Sequence, residues 1–167
     1  YFSQTTRVYY TLKYQPNKTD TLKRTRLQVL HFNKDSSTFQ SHEVLRRDSV
    51  FSVFHSNKEK YSSLNDNDEI YTKSFEYNYI IITQPKSQNI IFKDVISDMQ
   101  PASYTESVQL KWKLHPEKKI IHSISCQKAT TTYGGREWIA WFSTEYNFPY
   151  GPYKFYGLPG LIIKIQD

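Results

Sequence analysis

The feature that most constrains this chain is a two-residue period of apolar and polar side chains, which puts one set on a buried sheet face and the other toward water. It is clearest where Val108, Leu110, Trp112 and Leu114 alternate with Gln109, Lys111 and Lys113, so that one face is apolar and the other basic. The same period runs from Arg7 to Tyr14, with Val8, Tyr10, Leu12 and Tyr14 on one face. Pro16 to Asp20 reads as a turn and Arg24 to Phe32 as the returning strand, a long hairpin. Asn17-Lys18-Thr19 also matches a glycosylation acceptor, but the turn reading is preferred.

Between Glu43 and Phe54 the period changes. Val44, Leu45, Phe51 and Phe54 approach helical spacing, and Ser41 is placed to cap the start, which predicts one short helix. The polar stretch from Asn57 to Glu69 reads as a surface loop. Strands are expected over Ile70 to Phe75, Tyr77 to Thr83 and Asn89 to Val95, with a turn at Gln84-Pro85-Lys86-Ser87, the spacing of an antiparallel meander. After the strand ending at Leu114, the run His115-Pro116-Glu117-Lys118-Lys119 reads as a turn, followed by a long strand from Ile120 to Tyr133. Gly134 and Gly135 then permit the positive φ angles of a tight hairpin into a strand from Arg136 to Tyr146. Tyr146 to Gly160 is a loop dense in aromatics, Gly and Pro, because Pro149, Pro152 and Pro159 remove backbone donors. A last strand spans Leu161 to Ile165.

Composition agrees with sheet. The apolar content is carried by Tyr 14, Phe 10 and Trp 3 with many Ile and Val, residues that suit a pleated, half-buried surface. A chain of 167 residues fits one domain able to bury a core without metal or disulfide staples. The net charge of +6 suits an anionic partner, but the basic residues are spread along the chain rather than gathered into a nucleic-acid-binding run. Cys126 is the single cysteine and has no internal partner. No run approaches the length of a membrane span, and Tyr1 reads as a processed or trimmed start.

The residues suggest no catalytic or metal site. His31, His42, His55, His115 and His122 lack metal-ligand spacing, and a structural role is preferred for each. The run Asn65-Asp66-Asn67-Asp68-Glu69 resembles a calcium loop but lacks its turn glycine and its later bidentate Glu. No nucleophile elbow, P-loop or dinucleotide fingerprint is present, so no cofactor is expected. Cys126 reads as a buried structural residue, and Glu137 with Glu145 cannot be promoted to an acid pair without their separation in space.

One stretch has a recognisable signature. Cys126-Gln127-Lys128-Ala129, Gly135-Arg136 with Trp138, Ala140-Trp141-Phe142, Gly151-Pro152-Tyr153-Lys154-Phe155 and Gly157-Leu158-Pro159-Gly160-Leu161-Ile162 follow one another in the order of the GLPGLI family, which this third of the chain resembles. The resemblance implies an exported protein of Bacteroidota, found in the periplasm or at the outer membrane after removal of a signal peptide, with no settled activity. It also implies a chain that continues beyond Asp167, so that residues 1–167 form a single β-rich domain truncated at its C-terminal end.

The expected architecture is mainly β, an antiparallel curved sheet or half-barrel with one short helix, by analogy with periplasmic lipoprotein-carrier domains. Gly134, Gly135, Gly157, Pro159 and Gly160 are expected to shape the chain. Trp138, Trp141, Tyr153, Phe155 and Tyr156, with Tyr150, are candidates to line a binding groove, although Trp138 and Trp141 fall on opposite faces of a regular strand. The function expected is that of a non-enzymatic envelope accessory protein, binding a periplasmic or outer-membrane protein through a sheet edge, the terminal strand or the aromatic loop. Alternatives are a carrier or sensor of an apolar ligand such as a lipid or lipopeptide, then an enzyme acting on peptides or glycans, with nucleic-acid binding disfavoured by the expected location.

Overall fold

The structure, a computed structural model, describes residues 5–16, 21–46, 79–96 and 100–167. Residues 17–20 of the expected turn, the calcium-like run, the strand over 70–75 and His55 lie outside the described residues. The fold is mainly β and antiparallel, with its strands divided between two sheets.

The larger sheet is a six-stranded meander in chain order: β1 (Thr6–Tyr14), β2 (Arg24–Phe32), β3 (Ser37–Ser41), β4 (Ile80–Gln84), β5 (Asn89–Ile96) and β6 (Gln100–Ser107). Its register aligns Val8, Leu30, Phe39, Ile81, Phe92 and Tyr104 into one row across all six strands. Leu30, Phe39 and Ile81 in that row are buried, as the two-residue period requires. A parallel row carries Phe32, Ser37, Thr83, Ile90 and Glu106, which sets one carboxylate on the inward face of the edge strand β6.

A short helix, α1 (42–46), follows β3, and the Ser41 hydroxyl accepts the Glu43 backbone N–H at 3.2 Å, the cap expected from sequence. His42 packs edge-on against Tyr9 with ring centroids 5.9 Å apart, which places the start of α1 over the opposite face of the sheet. Among the described residues no helix is long and apolar enough to cross a membrane.

The smaller sheet contains β7 (Lys113–Ile121), β8 (Ile124–Tyr133), β9 (Arg136–Ser143) and β10 (Leu161–Gln166), in the order β10-β9-β8-β7. Gly134 and Gly135, at φ of 61° and 74°, form the expected β8–β9 hairpin. The turn read at 115–119 is not there. His115 to Glu117 instead form an irregularity inside β7, where the missing Pro116 N–H is tolerated, and the chain reverses at His122 and Ser123. Those two residues take φ of 49° and 65° without being glycine, so the expected strand from Ile120 to Tyr133 is broken by a turn that composition does not announce. Residues 108–112 belong to no strand, although Val108, Leu110 and Trp112 pack inward as the alternation requires.

After an exposed stretch from 144 to 149, residues 150–160 run between the two sheets. Tyr150 and Tyr156 share one apolar cluster with Leu30, Phe32, Phe39, Ile81 and Ile90 of the larger sheet. Phe155 and Leu158 share the other with Ala129, Ala140 and Phe142 of the smaller. Ala129 faces Ala140 across β8 and β9, and two side chains this small leave depth for the incoming rings. Each fully buried large side chain of this segment is worth about 1.5–3 kcal/mol.

Candidate functional site

The loop between the sheets needs partners for its backbone, because Pro149, Pro152 and Pro159 rule out a regular ladder. It finds them locally. The N–H groups of Phe155, Gly157 and Ile162 donate to the carbonyls of Pro152, Pro149 and Tyr150 at 3.2, 2.9 and 2.9 Å. Its glycines are required by closeness: a Cβ on Gly160 would lie 2.2 Å from the Ser143 carbonyl oxygen, and one on Gly151 would lie 2.6 Å from Ile162. Gly157 is required by conformation instead, with φ of +91° and no neighbour nearer than 4.0 Å. Side chains complete the join: Trp112 Nε1 donates to the Tyr156 carbonyl at 2.8 Å, the Tyr156 hydroxyl donates to the Val108 carbonyl, and the Tyr10 hydroxyl donates to the Ile162 carbonyl at 2.7 Å.

The aromatic residues singled out in the sequence separate into two groups. Phe155 and Tyr156 are only 2% and 7% exposed, and Tyr150 is equally enclosed. Around Phe155, the rings of Trp138, Tyr133, Tyr153 and Trp112 lie at centroid distances of 4.7, 5.8, 6.2 and 6.3 Å. These rings fill the interlayer space with one another, where a groove would have left their faces open. Trp141 is the exception. It points from the opposite face of β9, as the strand period demands, and Lys119 Nζ sits 3.8 Å from its ring centroid.

The polar centre of the interlayer was not identified in the sequence. Tyr153, at φ of +57°, turns the chain so that Lys154 points inward and is 5% exposed. Its ammonium donates to Glu106 Oε1 at 2.5 Å and to the Tyr104 hydroxyl at 2.7 Å, while the Tyr133 hydroxyl donates to the same carboxylate at 3.4 Å. The rings of Tyr104, Phe92 and Tyr153 stand 5.0, 5.1 and 5.6 Å from Nζ. Burial pulls the Lys154 pKa down, but the hydrogen bonds to Glu106 and Tyr104 and the neighbouring tyrosines more than offset it, and the net shift is upward. An amine nucleophile or base needs the reverse shift, so this lysine is a fixed cation that ties β6 to the loop. The available signal was a lysine set among Tyr153, Phe155 and Tyr156, which must find an anion if its neighbours are buried.

Other candidates occupy structural positions. Cys126 is buried and unpaired, and burial followed by the nearby Glu145 carboxylate pushes its thiol pKa up, away from a reactive thiolate. His115 exchanges a 2.8 Å hydrogen bond with Thr130, and Gln127 donates to the His115 carbonyl at 2.7 Å, which pins the irregularity in β7. The Glu145 carboxylate accepts the Ser125 backbone N–H at 3.3 Å. Among the described residues, no three His, Cys, Asp or Glu side chains converge as a metal site.

Outside the interlayer, the outward face of the smaller sheet is organised around Trp141. The register sets Lys128 on one side of it and Lys164 on the other, with Lys119 over the ring and Lys113, Thr130 and Ile139 in the adjoining row. Glu117 pairs with Lys128 at 3.1 Å. The neighbouring edge strand β7 exposes Ile120 and Leu114, yet Lys113, Lys118, Lys119, Pro116 and its irregularity are features that discourage pairing with another strand. On β10, the Ile162 N–H and carbonyl are already taken by Tyr150 and Tyr10.

Comparison with known proteins adds a fold relationship. No family model and no curated protein sequence matches the chain. It is similar to the solved structure of PNGF-II in its C2 crystal form, with a TM-score of 0.63 at 13% identity, and in its P21 form, with a TM-score of 0.61 at 13% identity. The likeness covers 98% of this chain but only 25% and 26% of the PNGF-II chains, so this chain spans about a quarter of the length of the proteins it resembles.

Proposed function

We propose that this chain is a non-enzymatic accessory protein of the cell envelope that binds another protein through the outward face of its smaller sheet. The observation that carries the reading is the position of Trp141, a large ring held at the surface by Lys119 and set between Lys128 and Lys164, while Phe155 and Tyr156 of the same signature are enclosed. Aromatic side chains supply contact area at small entropy cost, and lysines around them provide steering and register. The order of elements from Cys126 to Ile162 resembles the GLPGLI family and supports a periplasmic or outer-membrane location in Bacteroidota. The likeness to PNGF-II concerns the fold, and function belongs to the site.

An apolar ligand in a concave groove is less well supported. The place for it is filled by Tyr150, Phe155, Tyr156 and Leu158. The two readings separate in a gentle affinity purification of the protein from native membranes, followed by mass spectrometry of everything retained. Stoichiometric recovery of one envelope protein is expected, lost on Trp141→Ala. A purified full-length protein that is monomeric and retains no envelope protein would end the accessory reading, and a bound lipid or lipopeptide in its place would favour the carrier.

A further inference from the structure

We infer that the outward face of β7 to β10 docks an extended acidic segment of a partner protein, an inference that rests on the protein-binding reading above. Its cations are Lys113, Lys119, Lys128 and Lys164, spread over all but one of the strands in that sheet, with Trp141 at their centre and Ile139 and Thr130 beside it. Cross-strand neighbours on one face stand roughly 4.5–5.5 Å apart, so Lys128 and Lys164 flank the indole within reach of side chains from a single extended segment.

The distribution of charge identifies the class of partner. Glu117 lies against Lys128 at 3.1 Å, and Glu137, opposite Thr132, points from the same face. A uniform polyanion such as nucleic acid or an anionic membrane would meet these carboxylates as repulsion, whereas a peptide can set its acidic residues against the lysines and other residues against Glu117 and Glu137. Every cation centred on Trp141 is lysine, which presents a point charge and not the planar fork that favours bidentate phosphate contacts. Pro116 and the irregularity in β7 close that edge to strand addition, so the segment lies across the face.

The test uses residues 1–167 and a short peptide alternating Glu with Leu, with a Gln-for-Glu peptide, a single-stranded oligonucleotide and phosphatidylglycerol vesicles as comparison probes. The acidic peptide is expected to bind and to weaken with added salt. It should perturb the amide signals of β7 to β9 in the unsubstituted protein, a readout that needs no variant to fold. Trp141→Ala and the pair Lys128→Glu with Lys164→Glu are each expected to weaken binding about tenfold or more. The inference falls if the acidic peptide fails to bind, perturbs a different surface, or binds no more tightly than the oligonucleotide or the vesicles. It also falls, with protein binding itself left standing, if a partner recovered from membranes binds the Lys128→Glu, Lys164→Glu variant undiminished.

Discussion

Lys154 and Glu106 form an ion pair whose two halves stand in different surroundings. The lysine side chain is 6% exposed and the glutamate side chain 30% exposed. Removing the carboxylate strands a buried ammonium with only Tyr104 to accept from it, whereas removing the ammonium leaves a carboxylate that can still reach water. Glu106→Leu is therefore expected to cost about 3 kcal/mol in urea unfolding and Lys154→Met distinctly less. Equal costs would show that both groups are equally solvated. The glycines of the signature allow a similar contrast. Gly160→Ala drives a methyl into the Ser143 carbonyl and should cost several kcal/mol, while Gly157→Ala meets only the strain of its φ angle, about 1–2 kcal/mol. At this scale the sequence was legible where the strand period decides: Trp138 faces inward and Trp141 outward. It was not legible where partners come from distant strands, as Glu106 and Tyr104 do for Lys154.

Among the elements, strands rich in aliphatic and aromatic residues were legible and polar ones were not. β1, β2, β5 and β10 fall within a residue of their expected bounds, whereas β9 stops at Ser143, short of the expected Tyr146. The segment Ser37–Ser41 offers Phe39 as its one large apolar residue, and β6 offers Tyr104, so neither has a period of its own and each is held in place by its neighbours. The hairpins show the same division. Gly134-Gly135 was readable because glycine is the ordinary residue at positive φ, but His122-Ser123 adopts the same region without it. Replacing this pair by His122→Asn with Ser123→Gly should stabilise the protein by about 1 kcal/mol and raise its midpoint in urea without changing the slope. An unchanged or lowered midpoint would mean that the His122 and Ser123 side chains contribute contacts that offset their backbone strain.

Across the whole molecule, the antiparallel β class followed from periodicity, while the division into two sheets depended on something periodicity does not contain. A run of aromatics between prolines and glycines has no repeat, so its destination is decided only when the two sheet faces are present. Here the larger sheet offers Leu30, Phe32 and Ile81 and the smaller offers Ala129 and Ala140, and Tyr150, Phe155 and Leu158 enter between them. Segment 150–160 is thus the middle layer of the fold despite having no strand or helix of its own. Native-state amide hydrogen exchange tests this most directly. The N–H groups of Phe155, Gly157 and Ile162 should exchange as slowly as those in the centres of β8 and β9, through global unfolding only. Exchange at the pace of a surface loop, with β8 and β9 still protected, would contradict the interlayer role and reopen the aromatic segment as a binding groove.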